Sequence, residues 1–180
     1  FIGDAVMAIF ESDKTDEALK ACLKIQLGLR DFNQKLTNES KNPISIGLGM
    51  NTGKVIMGTV GTKNRMDSTI IGDEVNLASR LEGLTKFYKV PIIVSASTIK
   101  NLCNPDQFDF REIDSVTVKG KTIPVTIYEL FSWQGENIKE MKKSYEPDFL
   151  MGITFYKIRQ FDEALNLFNK CFEIYPNDPV

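Results

Sequence analysis

Asn76 and Arg80 stand four residues apart in the run Ile70 to Arg80, I-I-G-D-E-V-N-L-A-S-R. If the chain turns at Gly72 from a buried strand into a helix, the two side chains share one side of it, about a turn apart. An amide and a guanidinium placed together in this way can grip a sugar and a phosphate, although the same spacing also fits a solvated, mutually supporting pair. Just upstream, Asp67 and Thr69 are two apart, so in an extended chain they face the same way and either can look into a pocket. Asp4 follows Gly3 between two apolar runs, where a turn carboxylate ordinarily accepts backbone N–H bonds. Lys119-Gly120-Lys121 has the character of a charged hairpin tip. The chain contains no histidine, which removes Ser-His, Cys-His and His-metal chemistry. Catalysis must then rest on carboxylates, Lys, Arg, hydroxyls and metal ions.

The elements that would position these groups follow from periodicity. Phe1 to Phe10 is predicted to form a hairpin of two short strands around Gly3-Asp4. Thr15-Asp16-Glu17 predicts a helix start with a hydroxyl cap, and Ala18, Cys22, Ile25, Leu29 and Phe32 give it one apolar stripe to about Leu36. Strands are predicted over Ile44 to Met50 and Val55 to Val60, with a turn at Asn51-Thr52-Gly53 between them and a polar excursion from Gly61 to Asp67 after them. The central strand then leads into the helix of Asn76 and Arg80, with Asp73 as its capping carboxylate and Tyr88 near its end. An apolar strand over Pro91 to Ser95, a short helix from Ser97 to Leu102, and strands over Phe108 to Val118 and Val125 to Phe131 complete the pattern. This order predicts an α+β sandwich, helices against a mostly antiparallel sheet.

The 180 residues carry 22 basic and 24 acidic side chains. Such balance gives no electrostatic footprint for nucleic acid or an anionic membrane surface. Cys22, Cys103 and Cys171 are far apart, so neither a zinc site nor a disulfide framework is indicated. No apolar run approaches the roughly 20 residues of a membrane span, and no signal peptide is visible. A cytoplasmic location is expected. The chain starts at Phe1 in mid-pattern and is read as a fragment, which leaves an upstream anchor or sensor open.

Three separated motifs are F-I-G-D-A-V-M-A-I-F, M-D-S-T-I-I-G-D-E-V-N-L-A-S-R-L-E-G-L-T-K and V-K-G-K-T-I-P-V-T-I-Y-E-L. In this order the chain from Phe1 to Phe131 resembles the catalytic domain of class III nucleotidyl cyclases. The resemblance implies a ferredoxin-like cyclase sandwich lacking its first strand and helices. It implies that ATP is converted to 3′,5′-cyclic AMP and pyrophosphate by two magnesium ions, or manganese, at a site between two head-to-tail copies. By the same resemblance Asp4 is one of two metal-holding aspartates; the other, and a base-reading lysine, would precede Phe1. Thr69 falls where a polar side chain contacts the purine, a threonine or serine marking one bacterial-type adenylate-forming branch. Its other reading is an ordinary β-branched strand residue. Asn76 would orient the ribose, Arg80 would stabilise the α-phosphoryl group, and Lys119, rather than Lys121, would reach the β- and γ-phosphates. Guanylate cyclase activity and a non-catalytic dimerisation domain are the alternatives.

Beyond a predicted linker over 132–144, the residues Gly152, Phe155, Ala164, Phe168, Cys171 and Pro176 match the order of a tetratricopeptide repeat. Asp148 stands where the repeat often has Trp. Residues 145–180 are therefore expected to be the first of several repeats, a module for a protein partner. The competing reading is an amphipathic helical hairpin packed on the preceding domain.

Overall fold

The computed structural model describes residues 3, 5–62, 65–117 and 124–180, and over 59–69 the backbone only. A four-stranded sheet lies at the centre, built from β1 (Leu48–Met50), β4 (Ile92–Ser95), β5 (Phe110–Val116) and β6 (Val125–Leu130) in the order β1-β4-β6-β5. β1 runs parallel to β4, with Leu48 opposite Ile92, while β4–β6 and β6–β5 are antiparallel. All four residues of β4 are buried, because helices cover both faces of the sheet. On one face Leu77 and Leu81 of α2 (Asp73–Tyr88) pack on Ile93, Ile113 and Ile127. On the other Leu19 of α1 (Thr15–Asn38) packs on Ile92, Val94 and Leu130. The mixed, mostly antiparallel α+β architecture agrees with the sequence.

α1 buries only part of the expected stripe: Ala18 is buried and Cys22 packs against the core. Leu19 and Gln26 are buried, whereas Ile25 and Phe32 are exposed. The reason lies in the segment ahead of β1. The Gln26 side chain donates to Ile46 O (3.0 Å), and Asn33 both donates to Ile44 O (2.7 Å) and accepts from Ile44 N (2.9 Å). Two polar side chains thus satisfy backbone groups that a strand would have used. The strand predicted from Ile44 consequently forms only at Leu48–Met50.

Caps also differ. The Thr15 hydroxyl donates back to Ser12 O rather than capping α1. Asp16 instead accepts from the Cys103 and Asn104 backbone N–H groups, tying the helix start to the connection after α3 (Ala96–Lys100). Hydrogen bonding from Cys103 holds the Asp16 carboxyl below its usual range against the opposing effect of burial. Likewise Asp73 is the first residue of α2 and makes no side-chain cap.

A separate antiparallel pair, β2 (Ile56–Thr62) and β3 (Arg65–Ile71), precedes α2. Its strands run further than expected, into the predicted polar excursion. The apolar side chains at its base, Ile56, Met57 and Ile71, are exposed. Among the described residues, Val6 to Phe10 form no strand, and Val6, Met7, Ile9 and Phe10 are exposed. The second arm of the predicted N-terminal hairpin is therefore not a strand here.

Residues 136–144, expected to be linker, form the first turns of α4 (Glu136–Lys157). This helix packs antiparallel to α5 (Phe161–Ile174): Gly152 faces Phe168, and Cys171 lies by the Tyr145 carbonyl. A Cβ at Gly152 would come within 2.7 Å of Phe168 Cε1, so any larger residue there would have to displace that ring.

Candidate functional site

β3 ends at Ile71, Gly72 makes the turn, and α2 begins at Asp73, the strand-to-helix passage the sequence predicts. Asn76 and Arg80 lie on an exposed face of α2, away from the core side carried by Leu77 and Leu81. That side of the helix therefore faces solvent, open to a ligand or a second protein surface. Thr69 sits in β3 opposite Gly58, close ahead of α2 in the chain. Its side chain, with those of Asp67 and its neighbours, lies outside the described residues, as do Asp4, Lys119 and Lys121. The structure thus places Asn76 and Arg80 a turn apart on the exposed side of α2, and the side chains at the other three positions lie outside the described residues. Strands β5 and β6 lead into and out of the segment that carries Lys119. Among the described residues, no group of three His, Cys, Asp or Glu side chains could hold a metal ion.

α2 is seated unusually close to the sheet. A Cβ at Gly49 would fall 2.2 Å from Glu82 N and 2.3 Å from Ala78 O. The helix accordingly rests directly on the β1 backbone. Beside this contact lies a polar group the sequence did not reveal as more than a turn. Asn51 bonds to Glu74 on one side and to Ser95 and Ser97 on the other. Thr98 joins the same group through Ser95 and the Met50 carbonyl.

A second constellation escaped the sequence reading. Arg111 in β5 and Glu129 in β6 are directly opposite each other and buried, with Nε to Oε2 at 2.7 Å. Lys142 of α4, also buried, donates to Glu129 Oε1 at 2.7 Å. The Arg111 guanidinium forks onto both carboxylate oxygens of Asp178, at 2.5 and 2.6 Å, and the Tyr145 hydroxyl bonds the same carboxylate. Two cations and two anions therefore neutralise one another inside the seam between sheet and helical hairpin. Burial works against the Arg111 charge, yet Asp178 and Glu129 outweigh it and keep the group protonated. Burial alone would raise the Asp178 carboxyl; Arg111, Tyr145 and the Val180 N–H together hold it below its usual range. Burial lowers the Lys142 ammonium despite the nearby Glu129. The available signal was a pair of opposite charges inside two otherwise apolar strands, F-R-E-I and Y-E-L.

Residues 1–132 match the family described as the adenylate and guanylate cyclase catalytic domain. The terminal-differentiation specific adenylate cyclase of Dictyostelium discoideum is 41% identical over 183 residues, covering 99% of this chain and 8% of that protein. The adenylate cyclase of Anabaena cylindrica is 47% identical over 135 residues, covering 72% of this chain and 27% of that one. Among solved structures, a bacterial light-regulated adenylyl cyclase superposes with a TM-score of 0.65 at 30% identity, over 78% of this chain and 42% of the other. The adenylyl cyclase CyaB from P. aeruginosa gives a TM-score of 0.60 at 29% identity, over 73% and 69%. The chain spans less than a third of the length of these two curated relatives.

Proposed function

The chain belongs to the adenylate and guanylate cyclase catalytic domain family, its cyclase region being an adenylate cyclase catalytic domain, and we propose that the whole protein makes 3′,5′-cyclic AMP from ATP at a site shared by two copies. The observation that carries this is the exposure of both Asn76 and Arg80 on α2. That exposure leaves this face of α2 free to meet substrate and a second copy, as a shared site requires.

In the reaction the ribose 3′-oxygen attacks the α-phosphorus and pyrophosphate leaves. Arg80 presents a planar, multi-donor cation to the charge that builds on the α-phosphoryl oxygens. Asn76 orients the ribose for in-line attack. Thr69 accepts a hydrogen bond from the adenine amino group, and Lys119 neutralises the β- and γ-phosphates as a mobile point charge. These four come from one copy and Asp4 from the other. Asp4, with a second aspartate that the family resemblance implies, would hold two divalent ions, magnesium or manganese. An oxygen donor set without histidine suits such hard cations. Bound metal supplies the charge that lowers the pKa of the ribose hydroxyl and offsets that of the triphosphate.

Residues 145–180 are proposed as a tetratricopeptide repeat that binds a protein partner, joined to a cyclase domain over 1–131. Support comes from the Gly152–Phe168 approach and the buried Ala164. The Dictyostelium match, covering 99% of the chain, takes in this hairpin as well. No described helix is long and apolar enough to cross a membrane, in keeping with a proposed cytoplasmic location.

Supplying the full-length protein with ATP or GTP in parallel tests the proposal. Cyclic AMP from ATP, with little cyclic GMP from GTP, is the expected result. Preferential turnover of GTP would assign guanylate cyclase activity instead, and turnover of neither would favour a non-catalytic dimerisation domain.

A further inference from the structure

We infer that Asn51 is a positioning residue for the proposed reaction, setting where the first turn of α2 sits and hence where Asn76 and Arg80 stand. This rests on the reading of those two residues as site groups. The Asn51 amide uses its full hydrogen-bonding capacity. Nδ2 donates to Glu74 O (3.1 Å) and to Glu74 Oε2 (2.7 Å), while Oδ1 accepts from Ser95 Oγ (2.7 Å) and Ser97 Oγ (2.9 Å). The Glu74 carbonyl and carboxylate can only accept, so the atom facing them must be the amide nitrogen.

One side of this bridge is rigid. Asn51 directly follows β1, Ser95 closes β4, and these two strands pair in parallel within the buried sheet. Ser95 itself is fully buried. The other side is the first turn of α2, where the Val75 N–H donates to Gly72 O at 3.1 Å. α2 starts without a side-chain cap, and the Asn76 N–H reaches Gly72 O only at 3.5 Å. Glu74, two residues before Asn76, is the point at which the sheet grips this turn. Glycine makes that grip possible. A Cβ at Gly53 would come within 2.5 Å of Glu74 Cγ, and one at Gly49 would strike the helix backbone. With the helix lying on the strand, the short Asn51 side chain fixes its rotation at the end that carries Asn76.

The test is steady-state kinetics on the full-length protein. Asn51→Asp is nearly isosteric, keeps acceptors for Ser95 and Ser97, and sets a carboxylate against Glu74. It is expected to lower kcat on the order of tenfold or more, as small misplacements of site groups do, with KM for ATP little changed. Adding Glu74→Gln exchanges donor and acceptor between the two side chains, leaves the bond to Glu74 O unrestored, and is expected to recover part of that loss. Ser97→Ala, which removes only a bond on the sheet side, is expected to stay near wild type. Wild-type kcat in Asn51→Asp, or a loss that Glu74→Gln leaves unrelieved, overturns the inference. If Asn51→Asp melts too low for assay, Glu74→Ala must show the lowered kcat, and wild-type kcat there overturns it equally. An inactive wild-type protein, or a fully active Arg80→Ala protein, would instead strike the reading of the site itself.

Discussion

Replacing Arg80 by alanine in the full-length protein is expected to cut cyclic AMP formation by a factor on the order of a hundred or more, the usual loss when one donor to transition-state charge is removed. ATP binding should survive, because the triphosphate keeps its proposed contacts with Lys119 and the metal ions. The loss therefore belongs in kcat. Arg80→Lys should recover little. An ammonium keeps the charge but not the planar fork that spans two phosphoryl oxygens. Cyclic AMP accumulation at saturating ATP, alongside binding of a fluorescent ATP analogue, separates the two effects. Arg80 lies on an open helix face whose neighbours Leu77 and Leu81 do the packing, so the substitution should leave the melting temperature almost unmoved. Unchanged turnover would remove Arg80 from the mechanism.

The second large effect is on stability. Arg111→Met is expected to destabilise the protein by about 3–5 kcal/mol, the range for removing one partner of a buried ion pair. The change strands Asp178 and leaves Glu129 with Lys142 alone, so a balanced network acquires a net buried negative charge. Adding Asp178→Leu removes the stranded carboxylate and should return a good part of the loss. Urea midpoints measure both variants. A loss below about 1 kcal/mol, the level of an exposed pair, would mean that the seam is wet. Acid should act in the same direction. The native Asp178 carboxyl lies below its usual value of 3.8, so its contribution is complete above that value and disappears as pH falls through the native one.

The sheet was legible in the sequence because β4 must be buried on both faces, and an uninterrupted I-I-V-S run states that directly. The strand, turn and helix around Gly72 were legible for a similar reason: the change of period marks the passage, and residue types mark its exposed side. What escaped was decided by polar side chains acting over long sequence distances. Gln26 and Asn33 reach residues 44–46 and so bear on how much of the α1 stripe is buried, which no count of apolar positions can foresee. The expected linker looked polar because it contains Lys139 and Lys142. Yet Lys142 is buried against Glu129, and Lys139 pairs with Glu136 one turn before it. Asn51 read as a turn residue because its partners lie 23 and 44 positions away.

Mixing two inactive chains, one carrying Asp4→Ala and the other Asn76→Ala, tests the central proposal most directly. Each parent alone should be nearly inactive. Their equimolar mixture is expected to recover about a quarter of the wild-type rate, since random pairing makes half the dimers hybrids with one intact site of two. A mixture no more active than its parents would contradict a site shared between two copies.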